Sequence, residues 1–128
     1  YKNVLDDRAR SVFQGRIHVA SNAQKTNAHQ MNRNLLLSRN AQADSKPELI
    51  IHADDVKCSH GATVGELDQD AKFYLCSRGI DPVTAQNMMV QGFASEMIDD
   101  VSNDTVRSYL EAYIATWLNG PTTVEEVA

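Results

Sequence analysis

Between Asp54 and Thr63 the chain reads Asp54-Asp55-Val56-Lys57-Cys58-Ser59-His60-Gly61-Ala62-Thr63, placing a thiol, an imidazole and two carboxylates within seven positions. In an extended strand, side chains two residues apart share a face and lie about 6.6 Å apart, for a rise of about 3.3 Å per residue. Cys58 and His60 then project together. His52 and Asp54 fall on the same face, and Asp55, Lys57 and Ser59 fall on the other. Thiolate and imidazole ligate soft and borderline metals, so Cys58 and His60 are the candidate metal ligands. One Cys-x-His pair supplies two of the four ligands of a structural zinc site, and the sequence holds no Cys-x-x-Cys. The remaining ligands would have to come from another chain or from inorganic sulfide. The competing account is a small packed thiol beside a polar histidine near a strand end, since free cysteine is among the most buried residue types. As nucleophile and base the pair is badly arranged: parallel projection does not favour a short S···N hydrogen bond, and no oxyanion-hole motif accompanies it.

The other chemistry-bearing residues read more simply. His18, His29 and His52 stand in strand-like contexts and are expected to be structural. Cys76 lies beside Leu75 in a helical stretch and reads as a packing residue. Met88, Met89 and Met97 recur at helical spacing, as core or as an adaptable partner surface, with core packing expected. The Tyr109–Trp117 stripe reads as core or protein interface. There is no G-x-x-x-x-G-K-[ST], G-x-S-x-G, H-E-x-x-H or G-x-G-x-x-G. P-loop ATP binding by this chain is thereby excluded, and the expectation is a protein that is not an enzyme.

The elements that must position Cys58 and His60 change character along the chain. Residues 1–63 show no helical period but hold short strand-like runs at Ser11–Val19, Gln30–Leu37, Pro47–Ile51 and Val56–His60. Small polar stretches, Ala20–Asn27 and Ser38–Lys46, separate them. Aligning Ile17, Leu35 and Ile51 gives steps of 18 and 16 residues, the pattern of stacked coils in a parallel β-helix; a β-sandwich fragment fits the same spacing. From Asp68 the period becomes helical. Asp68 is the expected N-cap of a helix closed by Gly79, and Asp81-Pro82 opens a second helix that runs to about Asp100. Gly92 within it is either a close helix contact or a weak point. A third helix starts at Ser102 or Asn103 and carries Val106, Tyr109, Leu110, Tyr113, Ile114, Trp117 and Leu118 at i, i+3, i+4, i+7 spacing. Asn119-Gly120-Pro121 ends it, and the tail Thr122–Ala128 is expected to be mobile. The expected division is residues 1–63 as β coils and residues 64–128 as three antiparallel helices.

With 128 residues and 42% apolar content, the chain can bury the core of one compact domain or two small packed units. No apolar run approaches membrane-spanning length, and the opening Tyr1-Lys2-Asn3 carries neither Met nor a signal-peptide pattern, which reads as a fragment of a longer protein. Two isolated cysteines fit a reduced, cytoplasmic protein. The net charge of −5 combines nine Lys/Arg against six Asp/Glu in residues 1–60 with three against eleven in residues 61–128. The acidic half disfavours nucleic acid and suits a basic protein partner, or is simply a solvated helical surface.

Several runs together resemble a known family: Phe13-Gln14-Gly15-Arg16-Ile17-His18-Val19, Ala23-Gln24-Lys25-Thr26-Asn27-Ala28, Gln30-Met31-Asn32-Arg33-Asn34-Leu35-Leu36-Leu37-Ser38, Ala53–Gly65 and Phe73-Tyr74-Leu75-x-Ser77-Arg78-Gly79. Over residues 10 to about 100 the chain resembles the SufB/SufD family of iron–sulfur cluster assembly proteins. Its Asp-Asp-Val-Lys-Cys-x-His-Gly-Ala-Thr form is similar to the C-terminal part of the SufD branch. The resemblance implies an α+β fold, the end of a right-handed parallel β-helix followed by a three-helix C-terminal domain. It implies a non-catalytic scaffold of the SUF system that docks the SufC ATPase on its C-terminal helices and pairs through the β-helix with SufB or a second SufD copy. Cys58 and His60 match the family's implicated cysteine and histidine, so a transient iron–sulfur cluster shared with a partner is expected near them, with no cofactor held stably by this chain alone. Cys76 departs from the arginine often found at its position. A purely structural adaptor without metal contact is the alternative; nucleic acid and membrane are not expected as partners.

Overall fold

A computed structural model describes residues 1–119 of the chain. It contains five strands, β1 (Lys2–Leu5), β2 (Arg10–Val19), β3 (Asn27–Leu36), β4 (Gln42–Ile51) and β5 (Lys57–Glu66), followed by helices α1 (Gln69–Ser77), α2 (Pro82–Ile98) and α3 (Asp104–Leu118). The Gly120-Pro121 helix stop and the expected mobile tail lie outside the described residues. The chain divides into two compact units, Tyr1–Glu66 and Leu67–Ala128.

In the first unit the strands alternate between two sheets, one ordered β1-β3-β5 and the other β2-β4, and every pairing is parallel. An antiparallel β-sandwich fragment is therefore not what these residues form. The 18- and 16-residue steps need correction. Lys2 pairs with Arg33, Asn27 with Lys57 and Arg10 with Gln42, offsets of 31, 30 and 32 residues. Successive strands belong to different sheets, so a step of 16 to 18 residues crosses from one sheet to the other and never stacks a strand on its partner. Ile17 pairs with Leu49, and Leu35 with Val4 and Gly65.

Side-chain alternation assigns the faces. Along β3 the even-numbered residues from Ala28 to Asn34 are covered while Asn27, His29, Met31 and Arg33 are exposed; along β2 the odd-numbered residues turn inward. The covered face is strongly polar. Asn32 and Asn34 are buried, and Asn3 donates to Asn34 Oδ1 at 2.7 Å. Asn34 in turn donates to Asn32 Oδ1 at 2.8 Å and to the Thr63 carbonyl at 3.0 Å, and the Ser45 hydroxyl donates to Asn32 Oδ1. These bonds offset much of the cost of burying the amides, though Asn32 Nδ2 and Gln30 Oε1 are left without a partner among the described residues. Leu5, Val19, Leu35, Ala41 and Ala53 supply the apolar part of the core. Outside, Arg10–Asp44 and Arg16–Glu48 ion pairs at 2.6 Å link β2 to β4; being exposed, each contributes about 0–1 kcal/mol.

Three strands are longer than their apolar runs indicate, and β1 carries no signal of its own. Residues 42–46 of β4 and, Val64 apart, 61–66 of β5 are small or polar, and a parallel neighbour rather than propensity holds them extended.

In the second unit the caps follow the sequence closely. Asp68 accepts from the amides of Asp70 and Ala71 at 2.9 and 3.1 Å. At the far end of α1, Gly79 adopts a φ of +90° while its amide donates to the Cys76 carbonyl and that of Ile80 to Leu75, a Schellman closure that requires the left-handed conformation glycine adopts freely. Asp81 accepts from Val83 and Thr84, with Pro82 opening α2; Asn103 accepts from Val106 at the start of α3. Ala85, Val90 and Ile98 are buried. Lys72 donates to Gln86 across α1 and α2, and Asn87 donates to the Leu118 carbonyl across α2 and α3. Met88 and Met97 are exposed, against the expectation of core, while Met89 is half-buried; the fully buried residues of α2 are Ala85, Val90 and Ile98.

Candidate functional site

Cys58 and His60 both lie on β5, opposite Ala28 and Gln30 of β3. Direct partners in a parallel pair point to the same side, so both face the side that buries Asn32 and Asn34. Their exposure differs: Cys58 is half-buried and His60 is exposed. β5 is an edge strand of the β1-β3-β5 sheet, and the other sheet among the described residues consists of β2 and β4 alone. An inward-facing imidazole on such an edge strand is open to solvent for that reason.

The rest of the expected same-face group does not assemble. Residues 52–56 are not extended into β5 but form the connection between β4 and β5, which takes His52 and Asp54 out of register with Cys58. His52 instead sits beside His18, the rings edge-on with centroids 5.4 Å apart, and its amide donates to the Val19 carbonyl. The turn is tied to the preceding corner: Lys25 (φ +62°) donates its amide to the Asp55 carbonyl at 2.6 Å, and the Asp55 amide donates to Gln24 Oε1. On the outer face, His29 Nδ1 lies 2.6 Å from Ser59 Oγ, so Ser59 and His29 belong together and away from the thiol. Cys76 is a half-buried free thiol on α1. Among the described residues no group of three or more His, Cys, Asp or Glu could hold a metal ion. Cys58 and His60 are thus chemically suited to a borderline metal and numerically insufficient for one.

Gln30, Asn32 and Asn34 were not singled out as site residues, yet they line the face on which the pair lies. Their signal was available: three amides at strict two-residue spacing within a strand put polar groups on one face. Gln30 is set by an unusual neighbour. A Cβ at Gly15 would fall 1.7 Å from Gln30 Nε2 and 2.8 Å from its Cδ, so the amide occupies the space that glycine leaves open.

The second unit presents apolar surface. On α3, Leu110, Ile114 and Leu118 are half-buried while Tyr109, Tyr113 and Trp117 are exposed; on α1, Phe73 is 74% exposed beside Tyr74. No helix among the described residues is long and apolar enough to cross a membrane.

A parallel two-sheet stack bearing an edge-strand Cys-x-His pair, followed by a capped helical unit, defines the class of protein. Residues 1–93 match the family described as SUF system FeS cluster assembly, SufBD core domain, and the chain belongs to that family. Within it the likeness is to SufD. The chain is 44% identical over 120 residues to the iron-sulfur cluster assembly protein SufD of Escherichia coli, covering 94% of this chain and 28% of that one. It is 48% identical over 101 residues to an iron-sulfur cluster assembly SufBD family protein of Synechocystis, covering 79% and 22%. Against SufD of Bacillus subtilis the identity is 36% over 111 residues, covering 87% and 25%. The chain thus spans less than a third of the length of these relatives.

Proposed function

We propose that the chain is the C-terminal part of a SufD-like, non-catalytic scaffold for iron–sulfur cluster assembly in the cytoplasm. Its first unit is the end of a right-handed parallel β-helix, and its helices dock the SufC ATPase. SufB or a second SufD copy pairs with the β-helix, and a nascent cluster, the cargo of the system, forms at that junction. The observation that carries this reading is the placement of Cys58 and His60 on one face of the edge strand β5 with no third ligand near them among the described residues. Such a pair can hold a metal only when another chain or sulfide completes the coordination. The exposed aromatic residues of α1 and α3 support docking of a protein on the helices, since apolar groups gathered on a surface favour association.

The test is anaerobic co-purification of the full chain with SufB and SufC, comparing wild type with His60→Ala and Cys58→Ala. Bound iron and visible absorbance are expected to fall in both variants while the three proteins still assemble. Unchanged iron in both variants would reduce the chain to a structural adaptor.

A further inference from the structure

We infer that Gln30 is a positioning residue for His60, its amide oxygen accepting the imidazole N–H that points into the stack. The inference rests on the reading of His60 as a ligand.

Three observations converge on Gln30. It is the register partner of His60 on the neighbouring parallel strand, on the same face, across a spacing of about 4.8 Å. Its Oε1 is buried and has no hydrogen-bond partner, a state that buried carbonyl oxygens rarely keep. Its amide also has a defined seat, the Nε2 end lying over Gly15 where the missing Cβ leaves room. His60 is exposed and turns about its own torsions at little cost, so a rotation of the ring brings an N–H toward the open acceptor.

The chemistry then follows from the imidazole. A histidine that ligates through one nitrogen carries a proton on the other, and an acceptor for that proton selects the tautomer and aims the lone pair. Gln30 supplies this acceptor from inside the stack, leaving the other nitrogen directed outward, where a partner's ligands or a cluster would arrive. A glutamine suits the role because it stays uncharged and so leaves the charge of the site to the thiolate and the metal. Asn32 Nδ2, the other buried side-chain atom without a partner among the described residues, is a donor and cannot replace Gln30 in this task.

The experiment uses the full chain labelled with 15N-histidine. Long-range 1H–15N spectra report the tautomer of each ring, and His60→Ala assigns the His60 signals. One dominant His60 tautomer is expected in wild type and in Gln30→Glu, which keeps the acceptor, and a mixture in Gln30→Leu, which removes it. Anaerobic Fe2+ titration of the chain co-purified with SufB and SufC is expected to weaken about tenfold or more in Gln30→Leu and to recover in Gln30→Glu. An identical tautomer balance in wild type and Gln30→Leu overturns the inference. If Gln30→Leu does not fold, a mixture in Gln30→Glu overturns it. The parent reading fails separately: Fe2+ binding unchanged by His60→Ala removes His60 as a ligand, while the tautomer spectra still decide the Gln30 contact.

Discussion

At the scale of single residues, most of the chemistry turns on what a side chain meets across the sheets. Gly15 and Gly65 are both strand glycines, yet their surroundings differ. A methyl at Gly15 strikes Gln30 and Phe13, whereas at Gly65 nothing lies within 4 Å. Gly15→Ala is therefore expected to destabilise by about 1–3 kcal/mol through overpacking, and Gly65→Ala to be neutral or slightly favourable, as read by urea denaturation. A Gly15→Ala as stable as wild type would show that Gln30 is not seated there. The Cys58/His60 pair was legible because strand periodicity is local. His52 and Asp54 leave that face because the chain between the runs ending at Ile51 and starting at Val56 turns. What holds the turn, the bonds of Asp55 to Gln24 and Lys25, was not legible in the sequence.

At the scale of elements, the helices were legible almost to the residue because capping is written in adjacent positions. Asp81 shows the energetics. Its carboxyl is held below the ordinary value of 3.8 by a hydrogen bond with the Thr84 side chain, followed by the Thr84 amide; desolvation opposes them, and the Val83 amide adds a lesser lowering. A carboxyl whose folded pKa is depressed stabilises fully above its unfolded pKa and loses that contribution as the pH falls through the folded one. Asp81→Ala is thus expected to lower the thermal midpoint of the helical unit more at pH 7 than at an acid pH well below 3.8. An equal loss at both pH values would remove the cap as the cause. Gly92 is the opposite case: no atom lies within 4 Å of its would-be Cβ, so it is a weak point and not a close contact. Gly92→Ala is expected to stabilise by about 0.5–1 kcal/mol in chemical denaturation. Loss of stability instead would reveal a helix contact at that position.

For the whole molecule, the exposed edge of β5 matters most. Its inward face continues past His60 to Val64, which is 52% exposed although it pairs with buried Asn34. Edge strands with open backbone groups and an apolar face invite another chain. The chain is expected to associate with rising concentration in sedimentation velocity, and Val64→Lys to suppress that association by placing a charge on the docking face. A wild-type chain monomeric at all concentrations would defeat the expectation. Sequence alone determined the helices, their caps, the helical period from Asp68, and that Cys58 and His60 share a strand face, because each depends on neighbours within a few positions. Only the tertiary structure decided which strands pair, that the repeat is 30–32 residues rather than half of that, and that Gln30 lies beside His60. Parallel pairing joins residues about thirty positions apart, and no local pattern carries that information.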